Sequence, residues 1–370
     1  MSQIKSIAGT FVIHAEASFL NGAGLGDGED RNVTIPKTLQ DGRRRVPYVS
    51  AQAWKRWLRD TFIAETGWPA SVLKAIGKSD KDTSNKISGE LDPIGFPEDD
   101  IFGYMRAQKG QGKKSEDEES SESDDEEESV ESASEKKGKK GVKTKAVMRS
   151  SPFSASILVS LRKDGWRGRD EGFVHLKEGT PLPYTTEFYT TNLHAIFCLA
   201  YDRLGVFSNQ GDRIELDPEI AAKYSDNQLI KTPTGYELTN SAQMRKDRAT
   251  ALLKSLVVLR GGAKQAAFGT DVAPKCVIMA GMSCGNPIFN HLFEDDPEKG
   301  VSLKIEPLRQ VLSDYADRIV TPVVIGYRAG YLTNGEQVDA LAGDHEFVRG
   351  KVQIVIASPV DAAAKMASYL

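Results

Sequence analysis

From Ile7 to Glu16 the chain alternates, with Ile7, Gly9, Phe11, Ile13 and Ala15 on one side and Ala8, Thr10, Val12, His14 and Glu16 on the other. That is the period of a half-buried strand. The period then changes. After a long loop, NGAGLGDGEDRNVTIPKTLQDGRRR, Ser50 is placed to cap a helix over AQAWKRWLRDTF, in which Trp54, Leu58 and Phe62 form one apolar stripe. The leucine- and lysine-rich segments from Glu65 to Lys86 predict a small, partly helical insertion. Alternation returns at Phe153, Ala155, Ile157, Val159 and Leu161 against Ser154, Ser156 and Ser160, a second strand, and EFYTTNLHAIFCLAY reads as a third. Between them Arg162 to Pro183 is rich in glycine and charge, with Trp166 and Phe173 as its large apolar residues, and suits a projecting hairpin or loop. A polar stretch from Gly205 to Thr239 precedes a second amphipathic helix marked by Ala249, Leu252, Leu253, Leu256 and Val257, and CVIMAGMS reads as a fourth strand.

The predicted order is β-α-β-β-α-β, an α+β arrangement of the ferredoxin-like or RRM-like plan, with two helices on one face of an antiparallel sheet. Strands at RIVTPVVIGY and FVRGKVQIVIA follow, and either extend this sheet or form a small appended lobe. No central strand carries an RNP1-like aromatic string, so stacking of bases across the sheet is not expected. A bound RNA would have to be held by basic loops and helix faces.

Composition narrows the class. The 370 residues, 39% of them hydrophobic, are enough for a sizeable core in one large or two moderate domains. No apolar run is long enough to span a bilayer, and the N-terminus alternates like a strand, so a soluble cytoplasmic protein with no membrane partner is expected. Cys198, Cys276 and Cys284 are dispersed without CxxC or zinc-site spacing and read as reduced, buried residues. The net charge of −4 conceals an asymmetry. Twelve acidic residues and no Lys or Arg lie between Glu116 and Glu135, and outside that tract 48 basic residues face 40 acidic ones, a net +8. The folded body is therefore suited to a polyanionic partner. The acidic tract, flanked by KGQGKK and KKGKKGVKTK, reads as a disordered loop over 113–145, either a solvated insertion or a competitor of nucleic acid for the basic surface.

Candidate chemistry is dominated by cations. Arg43, Arg44 and Arg45 lead into the first helix, where Gln52, Lys55, Arg56 and Arg59 share a face; Arg149, Arg245, Lys246, Arg248, Arg260 and Lys264 add to the set. Arginine offers bidentate phosphate contacts and lysine a point charge. Catalysis has little support. His14, His175, His194, His291 and His345 stand in no HExxH, GxSxG or HxE context, and neither a cofactor nor a resident metal is implied. Asp27, Glu29 and Asp30 form one carboxylate cluster in a glycine-rich loop, suited to turn chemistry or to metal-assisted cleavage of RNA. LRGGAKQAAFG, Leu259 to Gly269, fails the test for a Walker loop because its glycines follow a helix and Gln265 follows Lys264. It reads instead as a helix stop at Gly261 and Gly262 that also offers Lys264 to a ligand.

GRRRVPYVSAQAWKRWLRDTF after a glycine-rich first loop, VMRSSPFSASILVSL, TEFYTTNLHAIF and GGAKQAAFG, in this order, resemble the CRISPR-associated DevR-type backbone proteins of the RAMP superfamily. These form the crRNA-binding spine of type I Cascade complexes. The resemblance extends from the N-terminus to about Ser283 and implies an RRM-like palm (residues 1–64, 146–161 and 184–283), helical fingers (65–145) and a thumb hairpin (162–183). Residues 284–370 then extend the palm. It implies RNA contacts at Arg43, Arg44, Arg45, Ser50, Gln52, Lys55, Arg56, Arg59 and Arg149, and along the loop Gly261, Gly262, Ala263, Lys264 and Gln265. Trp166, Arg167, Arg169, Phe173 and His175 would belong to the thumb. The implied partners are crRNA, target DNA, further copies in a head-to-tail filament and other Cascade subunits. The acidic insertion departs from the family pattern. Type III relatives cleave RNA with a first-loop aspartate, a role open to Asp27 or Asp30. No helix-turn-helix is present to support the older reading of such proteins as developmental regulators.

Overall fold

The computed structural model describes residues 3–72, 74–78, 82–106, 146–163, 167–174, 178–180, 182–211, 213–344, 346–348 and 350–370. The acidic tract, Trp166, His175 and His345 lie outside them. The described chain is a mixed α+β structure built on one twelve-stranded sheet.

Strand β1 (Ser6–Ser18) opens the sheet and is followed by β2 (Gly22–Leu25), β3 (Val33–Pro36), β4 (Thr38–Asp41) and β5 (Arg44–Val49). Helix α1 (Ala51–Thr66) comes next. Its start is set by Ser50, whose Oγ accepts a bond from Ala53 N at 3.4 Å, and its end by Gly67 in the left-handed conformation. Trp54, Leu58, Thr61 and Phe62 are its buried face. Trp54 donates Nε1–H to Ser156 O at 2.7 Å and meets Phe11 edge-on with ring centroids 5.2 Å apart. Burying each of these large apolar side chains is worth about 1.5–3 kcal/mol.

The Glu65–Lys86 segment departs from the expected partly helical insertion. Past α1 the backbone forms an antiparallel pair, β6 (Lys74–Lys78) with β7 (Asp82–Ser88), before the short helix α2 (Pro97–Phe102) and strand β8 (Tyr104–Arg106). Ile76, Thr83 and Ile87 are β-branched, which favours strands over helix. Strand β9 (Ala146–Arg149) pairs with β8, and the predicted second strand is divided into β10 (Phe153–Ala155) and β11 (Leu158–Ser160).

Strand β12 (Arg167–Val174) pairs along its whole length with the first half of β13 (Leu182–Leu199), an 18-residue strand that begins well before the predicted one. The polar stretch after β13 has a small core of its own. Phe207, Leu216, Ala221, Leu229 and Leu238 are buried along the run of β14 (Val206–Ser208), β15 (Arg213–Ile214), α3 (Pro218–Ala221), β16 (Leu229–Thr232) and β17 (Gly235–Leu238), with Leu216 between β15 and α3. Helix α4 (Ser241–Leu256), the short α5 (Gln265–Phe268) and β18 (Cys276–Met282) follow. The C-terminal part contributes β19 (Phe293–Asp296), β20 (Gly300–Leu303), α6 (Ile305–Asp314), β21 (Val323–Tyr327), α7 (Gly335–Ala340), β22 (Ile354–Ala357) and α8 (Pro359–Ser368).

The sheet runs β22-β21-β18-β1-β13-β11-β5-β4. Within it β18, β1, β13 and β11 are mutually antiparallel neighbours. The strands of the C-terminal part continue the sheet, β21 beside β18 and β22 parallel to β21. One face of β1 contributes Ile7, Phe11, Ile13 and Ala15 to a core shared with α1, α4 and α8. Its other face, Ala8 and Val12, is sealed by a second core with Leu292, Phe293, Leu308 and Leu312. The half-buried reading of β1 is corrected here: Ala8 and Val12 are themselves apolar, and chain almost 300 residues away covers them. A sheet face sealed in this way offers no platform for bases along β1 and β18.

Candidate nucleic-acid interface

The first half of β13 gathers the cations. It bonds β12 along one edge and β3 in parallel along the other, through Thr185↔Val33 and Thr186↔Thr34. The first loop, the β12–β13 pair, β5 and the loop after α4 therefore meet around residues 185–188. Thr186, nearly buried, accepts a bond at 2.7 Å from Lys264 Nζ, which also lies 5.1 Å from the centroid of Phe19. Beside it Glu187 is fully buried between two guanidiniums. Arg45 Nη2 stands 3.6 Å from Oε1 and Arg167 Nη1 3.6 Å from Oε2. Arg169 Nη2 donates to Asp30 Oδ1 at 2.6 Å.

Next to this cluster is a cavity of about 530 Å³ lined by Asp27, Asp30, Lys37, Thr38, Arg45 and Tyr48 together with Ala23, Gly26, Ile35 and Pro36. Arg45 Nε donates to Thr38 Oγ1 at 3.3 Å, so the guanidinium is held from two directions. Arg43 and Arg44 are exposed where β4 turns into β5. A pocket mixing carboxyl groups, cations and one tyrosine ring can take a polar, phosphate-bearing ligand. Among the described residues no group of three or more His, Cys, Asp or Glu is placed to hold a metal ion.

The loop Gly261–Gln265 has a different local role from the helix stop expected of it. Helix α4 ends at Leu256, capped by Val257 in a right-handed conformation, four residues before the first glycine. Gly261 (φ 152°) is pressed against α1, where an added Cβ would lie 2.2 Å from Trp57 Cγ, and at Gly262 (φ 110°) one would lie 2.7 Å from Leu20 Cδ2. Ala263 N donates to Leu20 O at 2.9 Å, and Gln265 Nε2 donates to Gly261 O. These contacts put Lys264 in a left-handed conformation (φ 51°) with its side chain over Thr186. The glycines let the loop pack on α1 and β1, and Lys264 is what the loop presents.

The helix face is divided. Gln52 and Arg56 are exposed, Arg56 pairing with Asp60 one turn on at 2.9 Å. Lys55 is partly buried, donates to Ser151 Oγ at 3.2 Å, and has its ammonium pKa lowered by burial. Arg59 turns inward to Asp99 at 3.0 Å and Glu98 at 3.6 Å. Ser50 is spent on the helix start, its N–H donating to Asn21 Oδ1 at 3.1 Å. Arg149 corrects the sequence reading outright. Its side chain is 0% exposed, and it donates to Asp100 Oδ1 and O, to Glu215 Oε2 and to the carbonyls of Val206 and Arg203. It has no face left for RNA. Arg248 is sealed on the other oxygen of Asp100.

At the hairpin Phe173 is 64% exposed, with Val174 and Tyr184 also open to solvent. His14 is bonded to Asn192 Oδ1 at 2.9 Å. Burial pushes His194 down to about 4, helped by His291 and Lys304, so near neutral pH it carries no charge to offer a phosphate. Sequence reasoning missed Thr186, Glu187, Lys37 and Tyr48. A lone glutamate beside a threonine in a strand gives no signal until Arg45 of β5 and Arg167 of β12 are seen beside it.

No protein-family model and no curated protein sequence matches the chain. Solved structures resemble it along its length, two of them as follows. A chain of a structure titled "CRISPR RNA-guided surveillance complex, pre-nicking" aligns over 99% of this chain and 100% of its own with 12% identity and a TM-score of 0.50. A chain of one titled "CRISPR RNA-guided surveillance complex" covers the same shares at 12% identity with a TM-score of 0.49. At this identity the likeness to the first is one of fold.

Proposed function

We propose that this chain is a non-enzymatic crRNA-binding backbone subunit of a type I CRISPR Cascade complex, of the DevR-type RAMP group. The observation that carries the reading is that Arg45, Arg167, Arg169 and Lys264, from three separate segments, lie along one half of β13, the arginines on the side of Glu187 and Lys264 on that of Thr186. The fold supports it. The antiparallel order β18-β1-β13-β11, with α1 and α4 in the crossovers, fits the RRM-like palm of this reading. The β12–β13 pair would serve as the thumb and the 65–145 insertion as the fingers, while the C-terminal strands extend the palm. A sealed central sheet fits a protein that grips phosphate and ribose and leaves the bases to pair with target DNA.

In this reading copies stack head to tail along the guide, each thumb reaching over its neighbour, with other Cascade subunits at the ends and the whole assembly in the cytoplasm. The test is to express the protein together with a CRISPR array. RNA of discrete length, bound to a multimer, is the expected result, and a monomer free of nucleic acid under all conditions contradicts it.

A second reading is favoured by one observation, that Asp27 and Asp30 line the same cavity. It makes the protein a metal-dependent endoribonuclease, for which Asp27→Ala and Asp30→Ala must abolish cleavage of a complementary RNA. The bond from Arg169 to Asp30 weighs against it, since that carboxyl group is already engaged.

A further inference from the structure

We infer that Glu187 is a positioning residue that sets Arg45 and Arg167 as a two-guanidinium clamp for a single phosphodiester group beside the first-loop cavity. The inference rests on the RNA-backbone reading and adds to it a residue that touches no ligand. Glu187 is 0% exposed, yet neither of its carboxyl oxygens has a hydrogen-bond partner. A carboxyl group so placed is costly unless charges beside it compensate. Each oxygen has one such charge, Arg45 at Oε1 and Arg167 at Oε2, both at 3.6 Å.

That distance is beyond a hydrogen bond and within strong electrostatic range in a buried setting. Glu187 therefore attracts both guanidiniums from beneath without taking up their N–H groups. The side chains themselves remain 33% and 55% exposed. They come from different elements, β5 and the β12–β13 pair, and nothing in the local sequence of either would bring them together. The carboxyl group of the strand between them does so.

Two planar guanidiniums drawn to the two oxygens of one carboxyl group suit the non-bridging oxygens of a phosphodiester, which accept paired N–H donors. Thr186, the preceding residue, holds Lys264 by a direct bond of 2.7 Å. Adjacent residues of one strand thus orient three cations, two by charge and one by a hydrogen bond. Glu187 has a further consequence. Once phosphate engages the outer N–H groups, the two guanidiniums bridge a fixed buried anion and a bound external one, which registers the RNA against β13.

The test exploits a conflict of sign. Removing a negative charge near a polyanion site strengthens binding if Glu187 is only part of the general field. Removing a positioning residue weakens it. With single-stranded RNA of guide length as the probe, Glu187→Gln is expected to bind roughly tenfold more weakly than wild type, with thermal unfolding measured in parallel to confirm that the variant is folded. Equal or tighter binding by folded Glu187→Gln overturns the inference while leaving the RNA-binding reading intact. Absence of binding by wild type overturns both. Should Glu187→Gln fail to fold, Arg167→Lys decides the matter from the exposed side. It keeps the charge and loses the planar fork, so binding several-fold weaker than wild type is expected, and wild-type affinity overturns the clamp.

Discussion

Asp100 and Glu187 each stand between two arginines, but Asp100 is sealed together with both of its partners whereas Glu187 is sealed alone. Around Asp100, the side chains of Arg149 and Arg248 are 0% and 1% exposed, and every one of the Arg149 nitrogens donates to protein. Gly205 N adds a bond to Asp100 Oδ2 at 3.0 Å. This network ties α2, β9, α4 and the β13–β14 connection together. Around Glu187 the same residue types leave both guanidiniums partly in solvent. Arginine content alone is thus a poor guide to a nucleic-acid surface. What decides is whether the anion beneath takes the N–H groups or only attracts them.

Substitutions sharpen this contrast. Breaking the sealed network comes first: Asp100→Ala leaves two buried guanidiniums without their common counter-charge and is expected to cost about 3–5 kcal/mol in urea unfolding. A cost under ~1 kcal/mol would show that the network is not structural. The neighbouring Asp99 gives a pH signature of the same region. Burial raises its carboxyl pKa to about 6, opposed by Arg59 and reinforced by Glu98. A folded carboxyl that keeps its proton to higher pH than the unfolded chain contributes stability at low pH and loses it as pH rises from about 4 through 6. Against Asp99→Asn, the wild-type protein should therefore lose on the order of 2–3 kcal/mol between pH 4 and pH 7. Parallel pH profiles for the two proteins would remove Asp99 from the account. The smallest effect belongs to the solvent-facing side. Lys264→Ala should weaken RNA binding by roughly three- to tenfold, the worth of one charged contact, and leave the unfolding midpoint nearly unchanged.

The sequence was most legible where a signal is local. Ser50 and the stripe Trp54, Leu58, Phe62 placed α1, and the apolar run from Cys276 placed β18, each within a few residues. It was least legible where the partner is remote. Nothing near Arg149 announces Asp100 or Glu215, which lie 49 and 66 residues away, so an arginine opening a strand reads like any other surface cation. The glycines at 261 and 262 carry a correct general message, since positive φ and close approach both require them. The partner in that approach is Trp57 of α1, which the local sequence does not reveal. Among the proposed contacts, Arg45 and Lys264 each reach β13, at Glu187 and Thr186, Lys55 and Arg59 turn inward, and Thr186 and Glu187 had no motif to mark them.

The salt dependence of RNA binding tests most directly whether the exposed cations hold the backbone. Affinity for a single-stranded RNA of guide length, measured by fluorescence anisotropy across a range of salt concentrations, gives a slope set by the number of phosphates neutralised. For Arg45→Gln combined with Arg167→Gln the slope should become shallower by about 0.7, the share of the single phosphate that the pair clamps on a single strand, with the fold intact. An unchanged slope in the folded double variant would contradict the account, because the arginines around Glu187 would then take no part in holding the RNA.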